Sequence, residues 1–66
     1  MNLFKTESVE GVISYINPCY IIQIEPCSPN AKPKTSITVQ GGMTRTFYDK
    51  RSPETIVEIL EQFDIN

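Results

Sequence analysis

The chain has no histidine, and this absence removes much of the chemistry that small domains use. Histidine is the usual general base near neutral pH and a common zinc ligand. The two cysteines, Cys19 and Cys27, fall short of a structural zinc set. We therefore expect no catalytic residue, no bound metal and no cofactor, and we predict that the chain is not an enzyme.

Long apolar runs are also missing. Residues 1–7 lack the apolar stretch of a signal peptide, and no segment is long enough to span a membrane. A disulfide between Cys19 and Cys27 would stabilise by only about 2–3 kcal/mol. A cytoplasmic location with reduced thiols is the default expectation. Without a histidine beside it, neither thiol has a base to activate it.

The length of 66 residues predicts one domain over residues 1–66 with a small core. A chain of this size buries only about 60% of the surface that its unfolded form exposes. Small scaffolds gain further stability from a disulfide, a metal or a partner subunit. We therefore expect a homo-oligomer or a protein partner.

Charge is slightly negative overall, with six basic and eight acidic residues, but it is unevenly distributed. Acidic residues crowd the end of the chain, up to Asp64, and basic residues lie in the middle. A candidate anion-binding patch consists of Lys34, Arg45, Lys50 and Arg51. A basic cluster beside Tyr48 suits phosphates, yet a pI near 4.9 is unlike that of a nucleic-acid binder. Nucleic-acid binding is therefore the alternative hypothesis, and its affinity would have to weaken as salt rises.

A C-terminal helix over residues 53–63 is the most clearly indicated element. Ser52 suits the N-cap, and Pro53 suits the first helical position, where no backbone donor is needed. The predicted apolar stripe, widened on one side by Val57, consists of Ile56, Ile59, Leu60 and Phe63. The other face carries Glu54, Glu58, Glu61 and Gln62. We interpret these carboxylates as solvated, because acid–base chemistry needs two carboxyl groups in different environments.

Strand patterns precede the helix. Tyr20, Ile22 and Ile24 alternate with polar residues and predict a half-buried strand. A hairpin follows over residues 36–48, with Gly41-Gly42 at its turn. We expect Phe47 to face inward with Ile37 and Val39, and Arg45 to lie near the turn. The predicted fold class is α+β, with a small antiparallel sheet of three to five strands, connected as hairpins, and one C-terminal amphipathic helix.

The remaining segments are a proline-rich surface loop over residues 26–34, an edge strand over residues 3–9 and a turn at Asn17-Pro18. No internal repeat or linker is present.

Residues 11–16 predict a strand with apolar side chains on both faces. Val12 and Ile16 lie on one face, and Ile13 and Tyr15 lie on the other. Since one helix covers only one face of a sheet, the second face is normally polar. We predict that Ile13 and Tyr15, together with Ile21, form a surface for self-association or for a protein partner.

Several segments together resemble the small FlbD/SwrD-type bacterial proteins. The segments that carry the resemblance are Ile16 to Glu25, Ser36 to Val39, Gly41-Gly42, Phe47-Tyr48 and Ser52 to Val57. It covers about residues 12–63 and implies an accessory role of bacterial or phage type, an association with flagellar motility and no enzymatic activity. The chain departs from the family pattern in its proline-rich loop, in Gly-Gly for Asn-Gly and in an added N-terminal stretch.

A weaker similarity is to the C-terminal half of LytTR-type DNA-binding domains. The corresponding residues would be Asn17, Ile21, Ile24, Glu25, Gly42, Lys50 and Arg51. The His-Arg-Ser segment of that family is replaced by Ile13-Ser14-Tyr15. This similarity implies the nucleic-acid alternative.

Overall fold

A computed structural model of the chain describes residues 2–63. The single domain predicted over residues 1–66 extends beyond the described residues. Asp64, part of the acidic stretch noted in the sequence, lies outside them.

Five strands, a short 3₁₀ helix and one α-helix make up the described chain. Their bounds are β1 Phe4–Glu7, β2 Ile13–Ile16, the 3₁₀ helix Pro18–Tyr20, β3 Ile21–Pro26, β4 Thr35–Gly41, β5 Met43–Asp49 and α1 Pro53–Glu61. Strands β1 and β2 form one antiparallel sheet, and β3, β4 and β5 form a second one in that order. The α+β prediction is confirmed, with the strands divided between two sheets.

The β1–β2 hairpin determines the orientation of the strand predicted over residues 11–16. Phe4 pairs with Ile16, and both side chains are buried. Lys5 pairs with Tyr15 on the opposite, exposed face. The edge strand predicted over residues 3–9 is observed as β1, which is shorter than predicted.

Strand β3 differs from the predicted alternation. The predicted inward set was Tyr20, Ile22 and Ile24, but Tyr20 and Ile22 are exposed. Instead, Ile21 and Ile24 pack against the core, opposite Val39 and Ile37 of β4, respectively. The register shifts between Ile21 and Gln23, so one extra residue in β3 reverses the faces on either side of it.

The β4–β5 hairpin matches its prediction closely. Phe47 lies opposite Ile37 and packs against the core, and Arg45 lies opposite Val39 towards the turn. Only Gly42 in this turn has a positive φ, +101°, a conformation that side chains rarely adopt.

Helix α1 begins where the sequence predicts it. The Ser52 hydroxyl accepts a hydrogen bond from the Thr55 N–H, and Pro53 is the first helical residue. The helix ends at Glu61, two residues before its predicted end. Val57 is 43% exposed, so the prediction that it widens the buried stripe was wrong.

One core joins the two sheets and the helix. Its buried apolar side chains are Phe4, Ile16, Ile37, Val39 and Ile56, and the partly buried ones around them are Ile21, Ile24, Phe47, Ile59, Leu60 and Phe63. The outer face of the larger sheet carries Gln23, Glu25, Ser36, Thr38, Gln40, Thr44, Thr46 and Tyr48. The outer face of the larger sheet is therefore mostly polar, with Tyr48 as an exception, whereas β2 has apolar side chains on both faces.

The proline-rich segment is an exposed connection, but it starts one residue later than predicted, because Pro26 ends β3 opposite Thr35. The Cys27 N–H donates to the Lys34 carbonyl at 2.9 Å and closes the base of the loop.

Candidate interaction surface

The outer face of the β1–β2 hairpin carries two of the three predicted surface residues. Ile13 is 45% exposed and Tyr15 is 63% exposed. Across the ladder they lie opposite Glu7 and Lys5. The third residue was wrongly assigned, because Ile21 packs against the core on the inner face of the larger sheet. The hairpin face is therefore defined by Ile13 and Tyr15.

A cleft of about 380 Å³ adjoins this face. Tyr15 lines one side of it, and Met43, Arg45 and Phe47 of β5 line the other. The Arg45 guanidinium carbon lies 5.1 Å from the centre of the Phe47 ring, which is a favourable cation–π distance. Tyr20 closes one end of the cleft. We call this space the larger cleft.

The 3₁₀ helix positions Tyr20 at the larger cleft. The Asn17 side-chain oxygen accepts from the Cys19 N–H at 2.9 Å and caps that short helix. The Tyr20 ring then lies over Gly41, where a Cβ on the glycine would approach the Tyr20 Cδ2 to 3.0 Å. Glycine at position 41 thus lets an aromatic ring lie directly on the backbone of β4.

A second cleft of about 240 Å³ lies further along β5. Thr46, Phe47 and Tyr48 line one side, and Val12 and Ser14 line the other. We call this space the smaller cleft. Its lining also includes the acidic Glu10, whereas the lining of the larger cleft includes the basic Arg45.

Asp49 and Arg51 form a hydrogen-bonded cluster behind these surfaces. The Asp49 carboxylate is fully buried and accepts from the Glu7 and Arg51 backbone N–H groups, each at 2.9 Å. The Arg51 guanidinium donates to both carboxylate oxygens at 2.8 Å and to the Lys5 carbonyl at 2.7 Å. Its carbon also lies 5.4 Å from the centre of the Phe4 ring. This cluster joins β1 to the end of β5.

Burial by itself would raise the pKa of Asp49. The opposing effect of the hydrogen bonds from Arg51 and Glu7, with the charge of Arg51, is larger in sum and lowers the pKa below its usual value. The same side-chain hydrogen bond, which Arg51 donates to Asp49, raises the pKa of Arg51. Both groups are therefore charged at neutral pH, and the pair serves as a structural link.

The predicted anion-binding patch is not one open cluster. Arg51 is committed to Asp49, and the Lys50 ammonium lies 3.2 Å from a Glu7 carboxylate oxygen. Arg45 lies four residues away from Asp49 along β5, about 13 Å at strand spacing. Among residues 2–63, Lys34 and Arg45 are the members of the patch that take part in no salt bridge.

Features for catalysis or metal binding are few in the described part of the chain. Residues 2–63 contain no group of three or more acidic or cysteine side chains that could hold a metal ion. Within the same range, neither Cys19 nor Cys27 takes part in a disulfide. The helix glutamates Glu54, Glu58 and Glu61 are exposed.

Sequence reasoning missed Asp49, the residue with the densest set of side-chain hydrogen bonds in the described chain. Its signal was an acidic residue inside a basic run, two positions before an arginine. It also missed the part that Tyr20 and Met43 play at the larger cleft, because those two residues meet only through the tertiary fold.

Among residues 2–63, no helix has the length and apolar character needed to cross a bilayer. Comparisons of the chain with protein-family models, with curated proteins and with solved structures find no match. Fold and surface therefore define the class: a small α+β domain with an exposed aromatic face beside a cationic cleft.

Proposed function

We propose that this chain is a non-enzymatic interaction domain that self-associates through its hairpin face. The observation that carries the proposal is the exposure of Ile13 and Tyr15 on the same face of β2. Apolar and aromatic side chains that are grouped on a surface mark interaction sites more often than singly exposed ones do.

The composition of the hairpin face suits a second copy of the chain. Strand β2 contains no charged residue, so two such strands can approach without bringing like charges together. Lys5 and Glu7 of β1 flank Tyr15 and Ile13 and provide opposite charges at the border of the face. Tyrosine suits such a place, because its ring buries a large area while its hydroxyl stays hydrated.

A small core gives self-association a thermodynamic reason. Five apolar side chains are buried in the core of the described chain. Each fully buried side chain of this kind contributes about 1.5–3 kcal/mol, so the total is modest beside the entropy of ordering the chain. Covering the hairpin face with a second copy would add to this total.

The nucleic-acid alternative has less support. Two of the four residues on which it depends, Lys50 and Arg51, are paired with carboxylates. Neutralising phosphates would require breaking those pairs, and the chain carries a net charge of −2.

The resemblance to FlbD/SwrD-type proteins supports an accessory role of bacterial or phage type. Our proposal therefore includes an accessory role, in which the chain binds a partner protein and not a substrate.

Sedimentation equilibrium tests the proposal with a Tyr15→Glu variant. A charge at the centre of the interface should weaken self-association by about 2 kcal/mol, roughly thirtyfold, without unfolding the chain. Ile13→Glu should act in the same way. Tyr48→Glu is the matched control, since Tyr48 is similarly exposed but lies on the larger sheet. A parent protein that remains monomeric at high micromolar concentration would contradict the proposal.

A further inference from the structure

The two clefts adjoin each other along β5. Both have β5 on one side and the segment around β2 on the other, and Phe47 lines both. The larger cleft takes Met43 and Arg45 from one face of β5, and the smaller one takes Thr46 and Tyr48 from the other. We call the free edge of β5 together with these two flanking clefts the β5 groove.

Strand β5 is an edge strand of regular geometry. It pairs with β4 over seven consecutive residue pairs without a register shift, and no strand within residues 2–63 pairs with its other side. The other edge of the same sheet, β3, carries a register shift and ends in Pro26. Bulges and prolines are devices that protect edges from pairing, so β5 is the less protected edge.

Among residues 2–63, contacts from β1 cover the carboxyl end of β5. There the Lys50 N–H donates to the Glu7 carbonyl at 3.0 Å, and Asp49 accepts from the Glu7 N–H. The stretch from Met43 to Thr46 is exposed, and Phe47 is half-buried. An edge of this length can accept an added strand through main-chain hydrogen bonds.

The charges of the groove indicate what kind of strand would fit. Arg45 is the charged residue of the larger cleft, where it lies beside the apolar surface of Phe47, Met43 and Tyr15. The smaller cleft has Glu10 instead. A carboxylate is therefore favoured at the Arg45 end and disfavoured at the other end.

We infer that the β5 groove binds one extended segment of a partner protein, which pairs with β5, inserts an apolar side chain into the larger cleft and presents a carboxylate to Arg45. The inference rests on the proposal that the chain is an interaction domain, but not on its self-association. The stretch Met43–Phe47 contains no carboxylate, so β5 of a second copy would not supply the acidic group that Arg45 favours.

NMR titration with a defined probe tests this inference. The probe is a short blocked peptide of alternating valine and threonine with one aspartate near its end; one matched peptide has lysine for aspartate, and another has N-methylated backbone amides. We expect amide shifts along Met43–Tyr48 and at Tyr15 with the aspartate peptide, weaker binding of the lysine peptide and loss of binding on N-methylation, because strand addition depends on main-chain hydrogen bonds.

Variants separate the groove from the hairpin face. Arg45→Glu should weaken binding of the aspartate peptide by about fivefold and make the lysine peptide the better ligand, as expected for an exposed ion pair. Ile13→Glu should not weaken peptide binding, because Ile13 lines neither cleft. Self-association can thus fail while peptide binding persists.

Three results would overturn the inference. The first is no shift along β5 at millimolar peptide, and the second is equal binding of the N-methylated peptide. The third is a stronger response of the same amides to a single-stranded oligothymidylate than to the aspartate peptide, which would assign the groove to nucleic acid.

Discussion

At the scale of single residues, Asp49 determines how the N-terminal hairpin attaches to the larger sheet. It is fully buried, but its carboxylate accepts hydrogen bonds from two backbone N–H groups and from the Arg51 guanidinium. The Arg51 guanidinium in turn donates to the Lys5 carbonyl and lies over the ring of Phe4. A carboxylate in this place stabilises the fold only because its donors compensate for lost hydration.

Replacing Asp49 by asparagine should therefore be severely destabilising. Breaking a buried ion pair by removing one partner costs about 3–5 kcal/mol, and the lower end applies because Arg51 stays partly exposed. Urea denaturation followed by circular dichroism measures the loss. Glu10→Gln, at an exposed carboxylate, is the control and should change stability little. An Asp49→Asn protein as stable as the parent would show that the cluster is dispensable.

The same carboxylate gives stability a dependence on acid. Because the pKa of Asp49 is lower in the folded chain than the unfolded value of about 3.9, its contribution is complete above that value. It is lost as the pH falls from about 4 through the lower folded pKa. Unfolding free energies measured across this range should decline for the parent and be flatter for Asp49→Asn. A parallel decline in both proteins would place the acid sensitivity elsewhere.

At the scale of elements, the two glycines of the β4–β5 turn act for different reasons. Gly42 is needed for its positive φ, and a Cβ there would meet nothing within 4 Å. Gly41 has ordinary backbone but lies beneath the Tyr20 ring. The sequence indicates the turn correctly, but the need for glycine at position 41 comes from a tertiary contact with Tyr20.

Alanine substitutions should distinguish the two glycines. Gly42→Ala should cost about 1–3 kcal/mol from backbone strain, whatever its neighbours are. Gly41→Ala should lower the free energy of unfolding by less than Gly42→Ala does. This loss should vanish in a Tyr20→Ala background, because the added methyl group meets the Tyr20 ring. Thermal unfolding of the single and double variants measures both. A Gly41→Ala cost that is unchanged by Tyr20→Ala would contradict this explanation.

Local signals predicted some elements well and others poorly. The Ser52-Pro53 start of α1 and the inward side of Phe47 follow from capping and alternation, which are local properties. In and before β3, Ile24 was assigned correctly but Tyr20 and Ile22 were assigned the wrong face, because a single extra residue reverses the alternation and its position depends on pairing with β4. For the site, Ile13 and Tyr15 were predictable from alternation, whereas the Asp49–Arg51 pair depends on contacts distant in sequence.

At the scale of the whole molecule, one small core supports two surfaces of different character. The hairpin face is apolar and uncharged along β2, and the β5 groove combines aromatic walls with Arg45. Two of the four cations of the predicted basic patch, Lys50 and Arg51, are paired with carboxylates of β1 and β5. The proposed protein contacts therefore depend on the hairpin face and on the β5 groove.

The most direct test of the central claim is a dilution series of ¹⁵N–¹H NMR spectra of the unmodified chain. Self-association through the hairpin face predicts concentration-dependent shifts that are largest at Ile13 and Tyr15 and absent on the outer face of the larger sheet. Spectra that do not change with concentration, or that change elsewhere while β2 stays constant, would contradict the account.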